Sequence, residues 1–160
     1  MKLPILLPCL ILTVGVVNAQ KTAEDLDAMV NNDIAALNAH FNGIVRFAID
    51  KKDRLVVDHL IDGTSQRTDV AYVDFLDAGT CAYSAEEQRM VLQCQDPRSK
   101  CIEQGIKGKG DAVPTGRMSM ALPGGDANGQ KAQELIVRLI EHKQEAELSR
   151  LAEANTRERK

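Results

Sequence analysis

Cys94 and Cys101 stand on either side of the polar stretch Gln95-Asp96-Pro97-Arg98-Ser99-Lys100. In an oxidising compartment two thiols at this spacing close into a disulfide, and the bridge then holds two strand ends side by side. Closing so short a loop is worth about 2.5 kcal/mol on the chain-entropy account. The Asp-Pro step is turn chemistry, so the spacing predicts a hairpin whose arms are Met90 to Cys94 and Lys100 to Ile102. Apart from Cys9, near the start of the chain, the remaining cysteine is Cys81. It reads either as a small buried hydrophobe or as an exposed thiol.

The start of the chain supplies the oxidising compartment. Residues 1–19 run Met-Lys, an apolar stretch, then Val17-Asn18-Ala19, which is the layout of a secretory signal peptide cut between Ala19 and Gln20. The run from Leu3 to Val17 is shorter than the ~20 residues of a spanning helix. Pro4 and Pro8 also interrupt it. Cys9 follows Leu6-Leu7-Pro8 in mid-run, so lipid attachment is not expected. No later segment is apolar enough to span a bilayer. The protein is therefore expected to be exported, periplasmic or secreted, with no integral membrane segment once the signal is removed. Residues 20–142 then form one domain, and 143–160 a charged helical tail.

The whole chain carries a net charge of −3, and loss of Lys2 makes the remainder one unit more acidic. That argues against nucleic-acid partners, which need a basic surface. There is no Trp, with two Tyr and three Phe, so stacking platforms for bases or sugars are scarce and the core must be aliphatic.

Thr22-Ala23-Glu24-Asp25 opens a helix: Thr22 caps it and two acids favour its first turn. Leu26, Met29, Val30, Ile34 and Leu37 continue it to about Ala39, with only Asp33 breaking the apolar stripe. Strands are expected around Val45–Ile49, Leu55–Ile61, Val70–Phe75, Cys81–Tyr83 and Met118–Leu122, separated by polar turns such as Asp50-Lys51-Lys52-Asp53, Asp62-Gly63 and Asp77-Ala78-Gly79-Thr80. Gly105 to Arg117, with four glycines and Pro114, reads as a mobile loop. Ala132, Leu135, Ile136, Leu139 and Ile140 then lie on one face of a final helix capped by Asp126 or Asn128. Glu134 and Arg138 are spaced to pair on its outer side. Beyond His142 the composition turns charged, with only Leu148 and Leu151 as large apolar residues, which reads as a solvated continuation that frays.

The fold class is α+β: an N-terminal helix, a curled antiparallel sheet of six or seven strands, and a C-terminal amphipathic helix packed on it. The strings Met-Val-Leu-Gln-Cys-Gln-Asp-Pro-Arg-Ser-Lys-Cys-Ile and Ala-Gln-Glu-Leu-Ile-Val-Arg-Leu-Ile-Glu-His give residues 40–142 a pattern that resembles small, mostly uncharacterised exported bacterial domains with a pleckstrin-homology-like barrel. The resemblance implies a small barrel plugged by its last helix. It implies no activity, because that fold hosts unrelated roles. The N-terminal helix, the glycine-rich loop and the charged tail depart from the pattern. A cystatin-like arrangement, with the first helix crossing the sheet, is the alternative.

No convergent catalytic set is visible. His40, His59 and His142 are far apart, and the Cys94/Cys101 spacing is wider than that of common zinc sites, so neither metal nor cofactor is expected. Cys81 carries no mark of an activated nucleophile, although His59 could approach it. Asp50, Asp53, Asp58, Asp62, Asp69, Asp74 and Asp77 read as turns and a solvated face. Lys107, Lys109 and Arg117 stand among glycines whose amides could cradle an anion, but no nucleotide motif is present. The sequence thus points to an exported, non-enzymatic binding or scaffold domain, with a protein partner engaged through a sheet edge or the last helix. The alternatives are a carrier holding a small apolar ligand between sheet and C-terminal helix, and an enzyme using Cys81.

Overall fold

The computed structural model describes residues 21–96 and 98–158. The expected signal segment and its cleavage point lie outside the described residues.

Helix α1, Ala23–Phe41, starts where the Thr22 hydroxyl accepts from the Asp25 amide and the Asp25 carboxylate accepts back from the Thr22 amide. It ends at Asn42, whose left-handed backbone (φ 44°) lets its N–H reach the Asn38 carbonyl. Strands β1 (Val45–Ile49), β2 (Leu55–Ile61) and β3 (Thr64–Ala71) follow as antiparallel neighbours. The β2–β3 turn is Asp62-Gly63 with φ of 49° and 72°, the left-handed pair that matches strand twist in a two-residue hairpin.

Ala71 is followed by a single 3₁₀ turn, Val73–Phe75, and not by the third strand expected over Val70–Phe75. Then come β4 (Leu76–Ser84), β5 (Arg89–Cys94), β6 (Ile102–Ile106), β7 (Val113–Thr115), β8 (Arg117–Ala121) and helix α2 (Gly125–Glu158). The architecture is α+β. Among the described residues eight strands form two antiparallel sheets, ordered β1-β2-β3-β6-β7 and β4-β5-β8, and they do not close into a barrel. The turn residues Asp77 to Thr80 sit inside β4 as a bulge. Pairing passes from Asp77–Gln93 to Ala82–Val91, while the Asp77 side chain accepts from the Gly79 amide.

The registers show that the two sheets are one sheet folded at a corner. β3 pairs with β6 and β4 with β5, so residues 64–84 form one bent strand broken at the 3₁₀ turn. β7 pairs with β6 and β8 with β5, so 113–121 is a second bent strand broken at Gly116. β5 and β6 therefore run end to end in one direction between these two. The expected cysteine hairpin is corrected here: β5 and β6 do not pair with each other, because each is flanked on both sides by other strands. The disulfide Cys94–Cys101 is formed, with Cα atoms 6.0 Å apart, and it closes the gap left in the middle strand by the excursion 95–100. The Tyr72 amide donates to the Cys101 carbonyl and the Cys94 amide to the Gly116 carbonyl, so the bridge sits at the corner line. Replacing both cysteines by Ala is expected to lower stability by about 2.5 kcal/mol. An unchanged urea midpoint would contradict that role.

The two helices fill the side of the fold where β1 and β4 are outermost. α1 packs on β1, α2 packs on β4 and the 3₁₀ turn, and the helices pack on each other. Leu135, Ile136, Leu139 and Ile140 are buried with Met90, Met118, Met120 and Leu122 in one core. The sheet edges here are covered. The Asn38 amide accepts from the Phe47 N–H at 2.7 Å and donates to its carbonyl at 3.0 Å, which satisfies the outer edge of β1 as a strand would. Gln144 donates to the Val73 and Leu76 carbonyls.

Asp33, the one break in the α1 stripe, is buried and binds Arg138 and His142 of α2, both at 2.6 Å. Arg138 thus turns inward to α1 and does not pair with Glu134, which meets Lys131 instead. α2 continues unbroken through His142. Lys143 and Ala146 are buried, Lys143 meets Asp53 at 2.6 Å, and Arg150 binds Asp27, Asp53 and Glu147. The first two turns expected to be solvated are therefore anchored, with the Lys143 stem lying along the core. Burial, reinforced by Glu147, pushes the nearby Asp74 carboxyl up. α2 begins at Gly125, ahead of both expected caps, and Asn128 uses its amide to donate to the Pro123 carbonyl.

Candidate functional site

The inner face of the five-stranded sheet changes character away from the corner. Nearest the corner its facing residues are Leu55, Ala71 and Ile102, all buried. The next row is Val57, Asp69, Gln104 and Val113, and the outermost is His59, Arg67 and Ile106. A bulge makes this arrangement. The turn sets Ile61 opposite Thr64 and Leu60 opposite Ser65, then one extra residue, Gln66, shifts the register so that His59 faces Arg67. An unbulged hairpin would have put Gln66 and Thr68 on this face.

His59, Arg67 and Asp69 converge. Asp69 is fully buried. Its Oδ2 lies 2.8 Å from His59 Nε2 and 2.8 Å from Arg67 Nη2. Arg67 Nη2 also donates to the Ser119 carbonyl on β8 at 2.6 Å, so the guanidinium ties the two halves of the folded sheet together. With both Nη2 hydrogens so used, the pattern assigns the His59 hydrogen to Nε2, donating to Asp69. The approach of Arg67 Nη2 to His59 Nε2 at 2.7 Å is then a close contact. Two buried atoms of this cluster, Asp69 Oδ1 and Arg67 Nε, have no partner among the described residues. Each such group costs about 1–3 kcal/mol where it stays without a partner.

Around it the sheet end exposes aliphatic side chains: Ile61 is 63 % exposed, Ile106 40 % and Val113 63 %. A groove of about 360 Å³ between β3 and the turn after β6 is lined by Arg67, Thr68, Gly105, Ile106, Lys107 and Gly110. Within the expected loop Gly105–Arg117, β6 and β7 pair as a hairpin. The Lys107 amide donates to Gln66 and the Lys109 amide to Ile106 around Gly108 (φ 76°). The side chains of Lys107 and Lys109 are exposed and form no ion pair among the described residues. Arg117 lies apart, beyond Gly116 at the start of β8 and paired in register with Gln93. On the opposite face, Asp58 accepts from Thr68, Ser65 and Arg46. Burial works to raise its pKa, but the Thr68 hydroxyl and the Arg46 guanidinium outweigh it and hold the carboxyl below the usual range.

The other residues singled out from the sequence do not join this site. Cys81 is buried beside Met90, and desolvation pushes its thiol up to about 12, which keeps it protonated at neutral pH. His142 is spent on Asp33, and His40 on the Asn128 carbonyl. Among the described residues no three His, Cys, Asp or Glu side chains gather to hold a metal ion, and no helix is long and apolar enough to cross a membrane. Sequence reasoning named His59 and Asp69 separately and missed Arg67. Period-two alternation after the Asp-Gly turn was the available signal, and the bulge reverses what it implies.

No protein-family model matches the chain, and no curated protein or solved structure shows significant similarity to it. The sheet end thus combines buried polar groups, exposed aliphatic side chains and two ammonium groups without an ion pair among the described residues.

Proposed function

We propose that the protein is an exported, non-enzymatic binding domain that takes an amphipathic anion, an apolar body bearing a carboxylate, at the free end of its five-stranded sheet. One observation carries this reading: a groove lined by Arg67, Thr68, Ile106 and Lys107 lies at the end of the sheet that exposes Ile61 and Val113 and carries the exposed Lys109. The aliphatic side chains would cover the apolar body, and the two ammonium groups would hold the carboxylate. Asp62 and Asp111 flank the same turns and disfavour a more highly charged anion. Burial of the sheet–α2 interface by its own side chains favours this surface over a cavity beneath the helix.

Titration calorimetry with decanoate tests the reading, with decylamine as the opposite-charge control. Saturable binding of decanoate alone is expected, lost on Lys107→Glu/Lys109→Glu and reduced by Ile106→Ser. Absence of saturable binding, or equal binding of the amine, would overturn it.

A further inference from the structure

The chain contains two Asn-Gly steps, Asn42-Gly43 and Asn128-Gly129, in opposite environments. We propose that Asn42 is a site of spontaneous deamidation and that the fold protects Asn128.

The chemistry needs only water. The Gly43 backbone nitrogen, its proton lost to solvent base, attacks Asn42 Cγ. A C–N bond forms to the main chain, the bond to the side-chain nitrogen breaks, and that nitrogen leaves as ammonia. Water then opens the cyclic imide at either carbonyl, leaving aspartate or isoaspartate. Glycine favours the first step because no side chain obstructs the attacking nitrogen.

Asn42 meets these demands. It is exposed, lies just past the last turn of α1, and its side chain makes no hydrogen bond among the described residues. Gly43 (φ 80°) has open space where a side chain would stand, and its amide is bonded to nothing among the described residues. Asn128 meets none of them. It lies inside α2, its side-chain nitrogen donates to the Pro123 carbonyl at 2.7 Å, and its own carbonyl accepts from His40 at 3.1 Å. Gly129 is pressed beneath the Tyr83 ring. Ring closure there requires the first turns of α2 to open, whereas at Asn42 only a helix cap must rotate. Conversion adds a negative charge at the C-terminal end of α1, where the helix dipole disfavours it. The isoaspartate form also lengthens the main chain leading into β1.

The test is peptide mapping by mass spectrometry of the folded protein held at mildly alkaline pH, beside the same protein in urea. In the folded sample Asn42 should convert about ten-fold or more faster than Asn128, and in urea the two rates should approach each other. Equal conversion in the folded protein would overturn the proposal, as would an inert Asn42 there while both sites convert in urea. Asn42→Gly keeps the left-handed cap, and it should abolish the early acidic species on isoelectric focusing. Persistence of that species at the same rate would also count against the assignment.

Discussion

Arg67→Met is expected to destabilise the protein by about 3–5 kcal/mol, the loss typical of removing one partner from a buried ion pair. Asp69 is fully buried, and the guanidinium is its main counter-charge. With Arg67 gone the carboxylate keeps only His59, the Ser119 carbonyl loses its donor, and the tie between the two halves of the sheet is cut. The paired change Arg67→Met/Asp69→Leu should recover most of the loss, because it leaves no buried charge to compensate and removes both unpartnered atoms. Urea unfolding at neutral pH measures both. A single variant costing less than about 1 kcal/mol would mean that Asp69 is not held as an anion by Arg67. The double variant also separates roles: under the proposed function it should fold stably yet bind decanoate more weakly.

Gly129→Ala should cost about 3 kcal/mol, against the usual rule that Ala stabilises a helix interior by about 1 kcal/mol relative to Gly. A Cβ at this position would fall 2.1 Å from carbon atoms of the Tyr83 ring. The ring cannot simply step aside, because its hydroxyl donates to the Leu122 carbonyl at 3.2 Å and its body packs against the core. α2 must move or Tyr83 must leave. Thermal melts of Gly129→Ala, Tyr83→Ala and the double variant decide the matter. The double variant should be less destabilised than the two single losses added together, because the small side chain has room once the ring is gone. A Gly129→Ala protein that melts above the parent would show that the close approach is not real.

Both predictions concern features that linear reading could not supply, and the reasons differ. The α2 face was legible because Leu135, Ile136, Leu139 and Ile140 obey a local period, and burial follows period in a helix docked on a sheet. The disulfide pair was legible from spacing. Its role was not, since only the long-range registers reveal that β5 and β6 are collinear. Asp33 was visible as a flaw in a stripe. Its partners on α2 lie over a hundred residues away, so the flaw could not be recognised as the seam between two helices. At the candidate site β2 was readable as an aliphatic run, whereas β3, polar from Thr64 to Asp69, was displaced in the reading to Val70–Phe75. The bulge at His59/Leu60 was not readable, and that one extra residue exchanges which side chains face inward. Nothing beside Gly129 in the sequence explains it, because the reason for it, Tyr83, comes from another element.

The position of the Cys94–Cys101 bridge has a consequence for how the molecule tolerates change. The covalent link completes the middle strand, so the number of residues between the two cysteines is uncoupled from strand register. Lengthening that excursion beyond Gln95, which donates to the Phe75 and Leu76 carbonyls, costs about 0.6 kcal/mol of loop entropy per doubling. With its ends held 6.0 Å apart at a surface corner, the segment is a natural acceptor for a guest peptide, displayed in constrained form by a scaffold that need not readjust.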